Sequence, residues 1–302
     1  MSAKSRVKAT VLACGVCITL LSCATGLPLA PERAEAALPA DASVYLALRT
    51  GRLEALTADF VRAFDLETDE IDTILTDSDR VVAALGAPDN AGALSAVASG
   101  SYPGGRMRLG LTTSRRWRRR TVDTDVSSRP FFEERDGVGE LAVPSGTMVL
   151  FSNGSMRNMV QRAARSEPAA DAVDLDPEAE LSLYIPRIGD RIRETLPSQA
   201  RGLPLVSLSV NVRYDGDAEA TLPYELFGAI ELDDERAARV FSVISRLVIG
   251  ALAEGVPVSE LSVERNGSTI QYEGLPADEQ RLREWAQGFL EVLGVDTAAG
   301  EA

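Results

Sequence analysis

The chain has 302 residues, a formal net charge of −14, no histidine, and lysine only at Lys4 and Lys8. Without imidazole there is no Ser-His-Asp triad and no ordinary zinc or haem site; without lysine beyond residue 8 there is no Schiff base, Ser-Lys dyad or phosphate-binding P-loop. Composition leaves carboxylates, or Ca²⁺ or Mg²⁺ bound through oxygen, as routes to catalysis, and with 45 acidic residues in the chain the proximity of any two of them is uninformative.

Residues 1–22 read as a signal peptide. Lys4, Arg6 and Lys8 form a basic start, a stretch of roughly a dozen apolar residues follows, and small residues close it. That stretch is too short to span a bilayer as a stable helix. It ends in Leu20, Leu21, Ser22 and Cys23. This sequence resembles the bacterial lipobox, which implies acylation of Cys23 and removal of what precedes it. Leu21 departs from the smaller or β-branched residue more usual in that family. Cys14 and Cys17 have a Cys-x-x-Cys spacing, but both lie in the segment that would be removed, so no disulfide or redox pair is expected in the mature chain.

Residues 23–40, rich in Ala and Pro and without periodicity, read as a tether. At about 3.3 Å per extended residue such a tether holds a folded part some tens of ångströms from a bilayer. Ala24, unlike Asp, resembles the residue that follows the acylated cysteine in outer-membrane lipoproteins of Gram-negative bacteria. Loss of residues 1–22, with three positive charges and no negative ones, takes the net charge from −14 to −17.

A first α+β unit is expected over 41–165. It opens with the strand-like ASVYLALR, followed by Gly51 and an amphipathic helix. Further strands are predicted at 93–102, 105–112 and 147–152, and FFEERDGVGELAV reads as a hairpin turning at Asp136-Gly137, where a tight turn needs positive φ. Between Asp89 and Asp123 there is no acidic residue, and Arg106, Arg108, Arg115, Arg116, Arg118, Arg119 and Arg120 gather around Trp117. In a helix the arginines surround the axis; in an extended chain Arg116, Arg118 and Arg120 share one side, with Arg115, Trp117 and Arg119 on the other.

Residues 166–180, acidic and bearing Ala and Pro, read as a linker to a second unit over 181–296. Strands are predicted at 206–214 and 224–232. Two helices follow. One, within DDERAARVFSVISRLVIGALAEG, carries the apolar stripe Val240, Phe241, Ile244, Leu247, Val248, Ala251 and Leu252 behind Asp233 and Asp234. The other has Leu282, Trp285, Ala286, Phe289, Leu290 and Leu293 at helical spacing, which puts Trp285 in the core. Arg246 interrupts the longest apolar run, which argues against a second membrane helix.

The two units match each other in order. Ser43 and Tyr45 correspond to Ser182 and Tyr184, and Glu134-Arg135-Asp136-Gly137 to Glu264-Arg265-Asn266-Gly267. The expected fold class is α+β, as two similar tandem repeats, each a mainly antiparallel sheet with helices packed on one face. The repeat pattern is close to β-α-β-β-α-β-β-α, with an additional strand in the first. In this it resembles exported bacterial proteins of unassigned function.

Several local motifs have ordinary explanations. Asp215, Asp217 and Glu219 alternate like the start of a calcium loop but lack its remainder, and read as a solvated turn. Asp69, Glu70, Asp72, Asp77 and Asp79 flank Ile71, Ile74 and Leu75 as a polar helix face, and the NGS tripeptides at Asn153 and Asn266 read as turns. No catalytic, cofactor-binding or metal-ligating residue is assigned.

The arginine run admits two readings: internal pairing with the acidic excess, including across the interface between the units, or a patch for anionic lipid, an anionic glycan or an acidic protein. Nucleic acid is disfavoured by the acidic charge and the exported location. The leading expectation is a noncatalytic lipoprotein, anchored through acylated Cys23 in the cell envelope, with the outer membrane favoured if Gram-negative. It would bind a partner or ligand or support envelope structure. The alternatives are a carrier of an apolar ligand such as a lipid, and a carboxylate-dependent glycan hydrolase.

Overall fold

A computed structural model describes residues 35–302, apart from 65, 67, 88–89, 125–126, 138, 155, 166–172, 190–192, 194–201, 203, 217–221, 253–260 and 293–302. In chain order the elements are β1 (Val44–Arg49), α1 (Glu54–Ala63), α2 (Asp69–Thr76), β2 (Ser78–Ala87), β3 (Asn90–Gly100), α3 (Gly104–Thr113), β4 (Trp117–Asp123), β5 (Ser128–Glu134), β6 (Glu140–Ala142), β7 (Met148–Ser152) and α4 (Met156–Arg165). There follow β8 (Leu181–Ile185), β9 (Leu205–Tyr214), β10 (Tyr224–Leu232), α5 (Glu235–Leu252), β11 (Ser262–Asn266), β12 (Thr269–Ala277) and α6 (Glu279–Val292).

The fold is α+β, built on one 12-stranded sheet in the order β11-β12-β10-β9-β8-β1-β2-β3-β7-β6-β5-β4. The strand pairs within it are antiparallel. The halves meet edge to edge, with Tyr45 opposite Tyr184 and Leu48 opposite Leu181. Outward from this seam the order runs β2-β3-β7 on one side and β9-β10-β12 on the other.

The expectation that helices cover one face requires correction. Helices α1, α2, α3, α5 and α6 pack on one face, where Val44, Leu85, Leu94, Phe151, Ile270 and Leu275 lie. On the opposite face, α4 and residues 37–42 cover Tyr45, Val82, Val97, Phe131 and Leu150. The physical reason lies in β1 to β3: VYLALR in β1 and VVAAL in β2 place apolar side chains on both sides of the pleat, so both sides must be removed from water. Beyond the seam the α4 side of the sheet is polar, carrying Ser182, Ser207, Ser209, Asn211, Glu231 and Gln271.

Residues 105–112 are helical, correcting the predicted strand. The alternation Arg-Met-Arg-Leu-Gly-Leu imitates a strand, yet Met107 and Leu111, one helical turn apart, both pack on the core while Leu109 points outward at 64% exposure. The first half also carries two strands beyond the expected pattern's common set, because four strands, β4 to β7, separate α3 from α4, while two separate α5 from α6.

The hairpins match less well than their sequences. Gly267 begins a two-residue loop between β11 and β12 at φ 62°, as a tight hairpin needs. Asp136-Gly137 instead belongs to a wider loop closed by the Glu134 amide on Gly139 O at 2.8 Å, and a Cβ at Gly137 would collide with the Glu134 carboxylate. The strand next to β3 is β7, so the hairpin equivalent in sheet order to β11–β12 is β6–β7 rather than β5–β6.

Strands 93–102, 147–152, 206–214 and 224–232 correspond to β3, β7, β9 and β10. Helix α5 starts as expected, with Asp234 accepting from the Ala237 amide at 2.7 Å, although Val240 of the predicted stripe is 57% exposed. Trp285 is half-buried against the core of the second half. Leu293, and the second half's expected first helix save for residue 193, lie outside the described residues.

Candidate functional site

The arginine run resolves into a loop and an edge strand. Arg115 and Arg116 precede β4, which forms one end of the sheet and pairs only with β5. Trp117 anchors it: the indole is buried on the helix-rich face, and its Nε1 donates to Glu70 Oε1 of α2 at 3.3 Å. Glu70 sits in the first turn of a helix capped by Thr68, whose hydroxyl accepts from the Ile71 amide at 3.2 Å. The alternation then turns Arg118 and Arg120 to the other face, in register with Glu133 and Phe131.

Three of the seven arginines are paired, and locally. Arg116 meets Glu134 at 2.6 Å and Glu70 at 3.9 Å, with its guanidinium 5.9 Å from the Trp117 ring centre. Arg120 meets Glu133 at 2.7 Å, and Arg108 donates to Val143 O at 3.2 Å. Arg106, Arg115, Arg118 and Arg119 are exposed or nearly so and contact no acidic group among the described residues. The partners found are all in the first half, so the run does not tie the two halves together.

Arg119 and Arg120 line an open groove of about 560 Å³ with Phe131, Glu133, Glu140 and Arg157. Glu140 accepts from the Met156 amide at the start of α4 at 2.7 Å. Burial pushes its carboxyl above the ordinary glutamate range; that hydrogen bond pulls it down, and Glu133 adds to the rise.

Two further features escape the sequence reading. The first is an apolar cavity of about 100 Å³ between the sheet and the α1–α2 pair. Its walls include Leu46, Phe60, Phe64, Ile74, Leu85 and Phe151, and among the described residues Thr57 is the single polar one in its lining. The Thr57 hydroxyl donates to Leu53 O at 2.8 Å, so it offers the cavity no free donor. Such a space stays dry and accepts apolar groups.

The second is a polar trough of about 410 Å³ on the uncovered face of the second half, lined by residues including Asp174, Ser209, Asn211, Glu264, Gln271 and Glu273. Polar groups on this face of the sheet bond one another or the backbone: Ser182 donates to Asn211 at 2.6 Å, Ser207 to Glu231 at 2.8 Å, and Ser209 Oγ accepts from the Ala229 amide at 3.1 Å. Arg213 bridges Glu225 and Glu273 at 2.9 and 2.5 Å.

Among the described residues no group of three or more Cys, Asp or Glu side chains is placed to hold a metal. Asp217 and Glu219 of the calcium-like stretch, and Cys23, lie outside the described residues. Asn153 is a structural residue, accepting from the Leu94 amide at 2.7 Å and donating to Gly92 O at 2.9 Å. Among the described residues no helix is long and apolar enough to cross a membrane.

No family model and no curated protein matches the sequence. Solved structures do match in fold. Crystal form I of TP0453 aligns with a TM-score of 0.57 at 18% identity, over 86% of this chain and 97% of that one. Crystal forms III and IV align with TM-scores of 0.54, also at 18% identity, over 82% and 83% of this chain and 95% of theirs. The likeness is one of fold, and at 82–86% of this chain it extends over both halves of the sheet.

Proposed function

We propose that this protein is a noncatalytic lipoprotein of the cell envelope, anchored through acylated Cys23, whose folded part shelters an apolar ligand between the α1–α2 pair and the sheet. The observation that carries the ligand reading is the cavity wall: among the described residues it is carbon apart from one hydroxyl, which already donates to Leu53 O. At about 100 Å³ the cavity holds a small apolar group; an engineered cavity of about 150 Å³ holds benzene. A longer chain requires the α1–α2 pair to move away from the sheet. The lipobox-like sequence ending at Cys23 supports the anchor.

The sheet also supports an origin by duplication of one α+β unit. Tyr45 and Tyr184, matched by sequence, are cross-strand partners at the seam, and outward from it the strand order runs β1-β2-β3-β7-β6 on one side and β8-β9-β10-β12-β11 on the other. In this proposal the two copies have diverged in use: one contributes the apolar cavity, the other the polar trough.

The test is solvent extraction of protein purified from membranes, with mass spectrometry of what it releases. A stoichiometric apolar compound supports the carrier reading, and protein that arrives empty and fails to bind a fluorescent apolar probe refutes it. Replacing Cys23 by Ser separates the anchor: the variant should leave the membrane fraction while keeping its ligand.

A further inference from the structure

Charge is distributed unevenly in this molecule. Residues 104–165 hold twelve arginines against six carboxylates, while the whole chain has a net charge of −14. Those residues run from α3 through α4, and the β4 end of the sheet belongs to them. The opposite end has no comparable excess: on β11 Arg265 stands beside Glu264, and Glu273 of β12 is paired with Arg213. The protein thus gathers its excess of arginine at one end of a long sheet.

Guarding an edge strand against further strand addition accounts for charge on β4 itself. It does not account for α4. That helix, MRNMVQRAAR, has no acidic residue, turns Met156, Met159, Val160 and Ala163 to the core, and carries Arg157, Arg162 and Arg165 on its other sides. Arg157 is exposed, lines the groove with Arg119 and Arg120, and like Arg118 and Arg119 has no acidic partner among the described residues. Two elements far apart in sequence therefore direct unpaired guanidinium groups toward the same end.

The path of the chain supplies the second observation. Residues Ala37, Leu38 and Ala42 pack against α4, and Arg162 Nε donates to Ala37 O at 3.0 Å. Glu35, the first described residue, lies 3.9 Å from Arg80 on the same side of the sheet. The tether from Cys23 therefore enters the fold beside the basic helix. Glu35 is twelve positions after Cys23, a reach of at most about 40 Å.

From these observations we infer that the α4–β4 end is a membrane-docking surface: Arg118, Arg119 and Arg157 engage the phosphates of an anionic lipid bilayer, standing the sheet on its basic end. This inference rests on the acyl anchor proposed above. Guanidinium groups suit the role because each forks two donors onto phosphate oxygens. The anchor confines the patch to the bilayer surface, so even modest attraction sets orientation. The β11–β12 end, at the far side of the sheet from β4, then stands away from the bilayer together with the polar trough.

The test uses the acylated protein, reconstituted into vesicles of phosphatidylcholine alone or mixed equally with phosphatidylglycerol. A mature chain starting at an acylated Cys23 has no free thiol, so Asn158→Cys on α4 and Ser262→Cys on β11 each give one labelling site. A fluorophore at 158 is expected to be shielded from a neutral aqueous quencher on the anionic vesicles at low salt, and exposed on neutral vesicles or at high salt. The probe at 262 stays exposed throughout.

Arg118→Gln, Arg119→Gln and Arg157→Gln together should lower the docked-to-undocked ratio about a hundredfold, at about fivefold for each charge. The triple Lys variant should retain most of it. Equal thermal melting of the three proteins shows that the fold is unaffected. Shielding that is the same on both vesicles, or unchanged in the Gln variant, or matched by soluble polyphosphate, overturns the inference. Protein that fails to float with neutral vesicles defeats the anchor instead, and charge-dependent capture by anionic vesicles would then still support the docking surface.

Discussion

Tyr45 of β1 lies directly across the ladder from Tyr184 of β8, and this pairing fuses two half-sheets into one. Tyr45 is 1% exposed and its hydroxyl donates to Pro39 O at 2.6 Å, so the seam also fastens the segment that leads in from the tether. Tyr45→Phe leaves that carbonyl without its partner, at a cost of about 1 kcal/mol. The expected result is a small loss of stability in urea together with faster proteolysis around residues 35–42. Unchanged cleavage would show that the packing of Ala37 and Leu38, rather than the hydroxyl, holds the segment.

The seam has a second fastening above the sheet. Arg283 of α6 grips Asp59 of α1 with contacts of 2.6 and 3.1 Å, and the Asp59 carboxylate is almost fully buried. Arg62 reaches the same carboxylate at 3.1 Å, so loss of Arg283 leaves it one cation. Arg283→Ala should therefore cost about 2 kcal/mol, the scale of a charged hydrogen-bonded contact, rather than the larger penalty of an abandoned buried charge. With ladder and ion pair both crossing the seam, calorimetry should show one unfolding transition for the wild type. Two separate transitions would mean that the halves unfold independently.

Local pattern carried much of this fold. Helices α5 and α6 were legible because their apolar residues recur at helical spacing, and β10 because turn residues bound a run of alternating side chains. The separation of Arg118 and Arg120 from Trp117 onto opposite faces matched the extended one of the two conformations open to the arginine run, but nothing local marked Trp117 as the buried member. Helix α3 was not legible, since Met107 and Leu111 lie four apart and satisfy both periods. The β1–β8 seam depends on pairing across more than a hundred residues, for which neither strand carries a local mark. The cavity is an absence: Phe60, Ile74 and Leu85 each read as ordinary core, and only their packing reveals the space between them.

Glu140 makes stability depend on pH in a predictable direction. Burial raises its folded pKa, so across the interval from the unfolded value of about 4.3 up to the folded value the native state binds more protons than the unfolded chain. Stability from this group is thus fully present below the unfolded value and is lost as pH rises through the folded one. Glu140→Gln keeps a carbonyl to accept the Met156 amide and removes the charge. The variant should match the wild type near pH 4 and exceed it at neutral pH, by denaturant melts across that range. A wild type that instead gains stability over the wild-type/variant difference as pH rises would show that the Met156 hydrogen bond outweighs burial.

If the carbon-walled cavity is the ligand space, filling it should stabilise the protein and abolish binding together. Ala83 and Ala98 contribute short side chains to its wall from neighbouring strands. Ala83→Leu adds three carbons, each worth up to about 0.8 kcal/mol when buried; crowding of the side chains around the new branch offsets part of that gain. A net gain of about 1 kcal/mol is the expected size for a filled cavity, seen as a rise of about 3 °C in Tm. A fluorescent apolar probe should lose its binding to the same variant, because the space that stabilised the protein is the space the probe occupied. A stabilised variant that binds the probe as before would separate the two, and the apolar ligand would then have to be sought beneath another helix. A variant destabilised by more than 1 kcal/mol would mean that the sheet and the α1–α2 pair cannot part even slightly, and a carrier whose cover cannot move has no way to load its cargo.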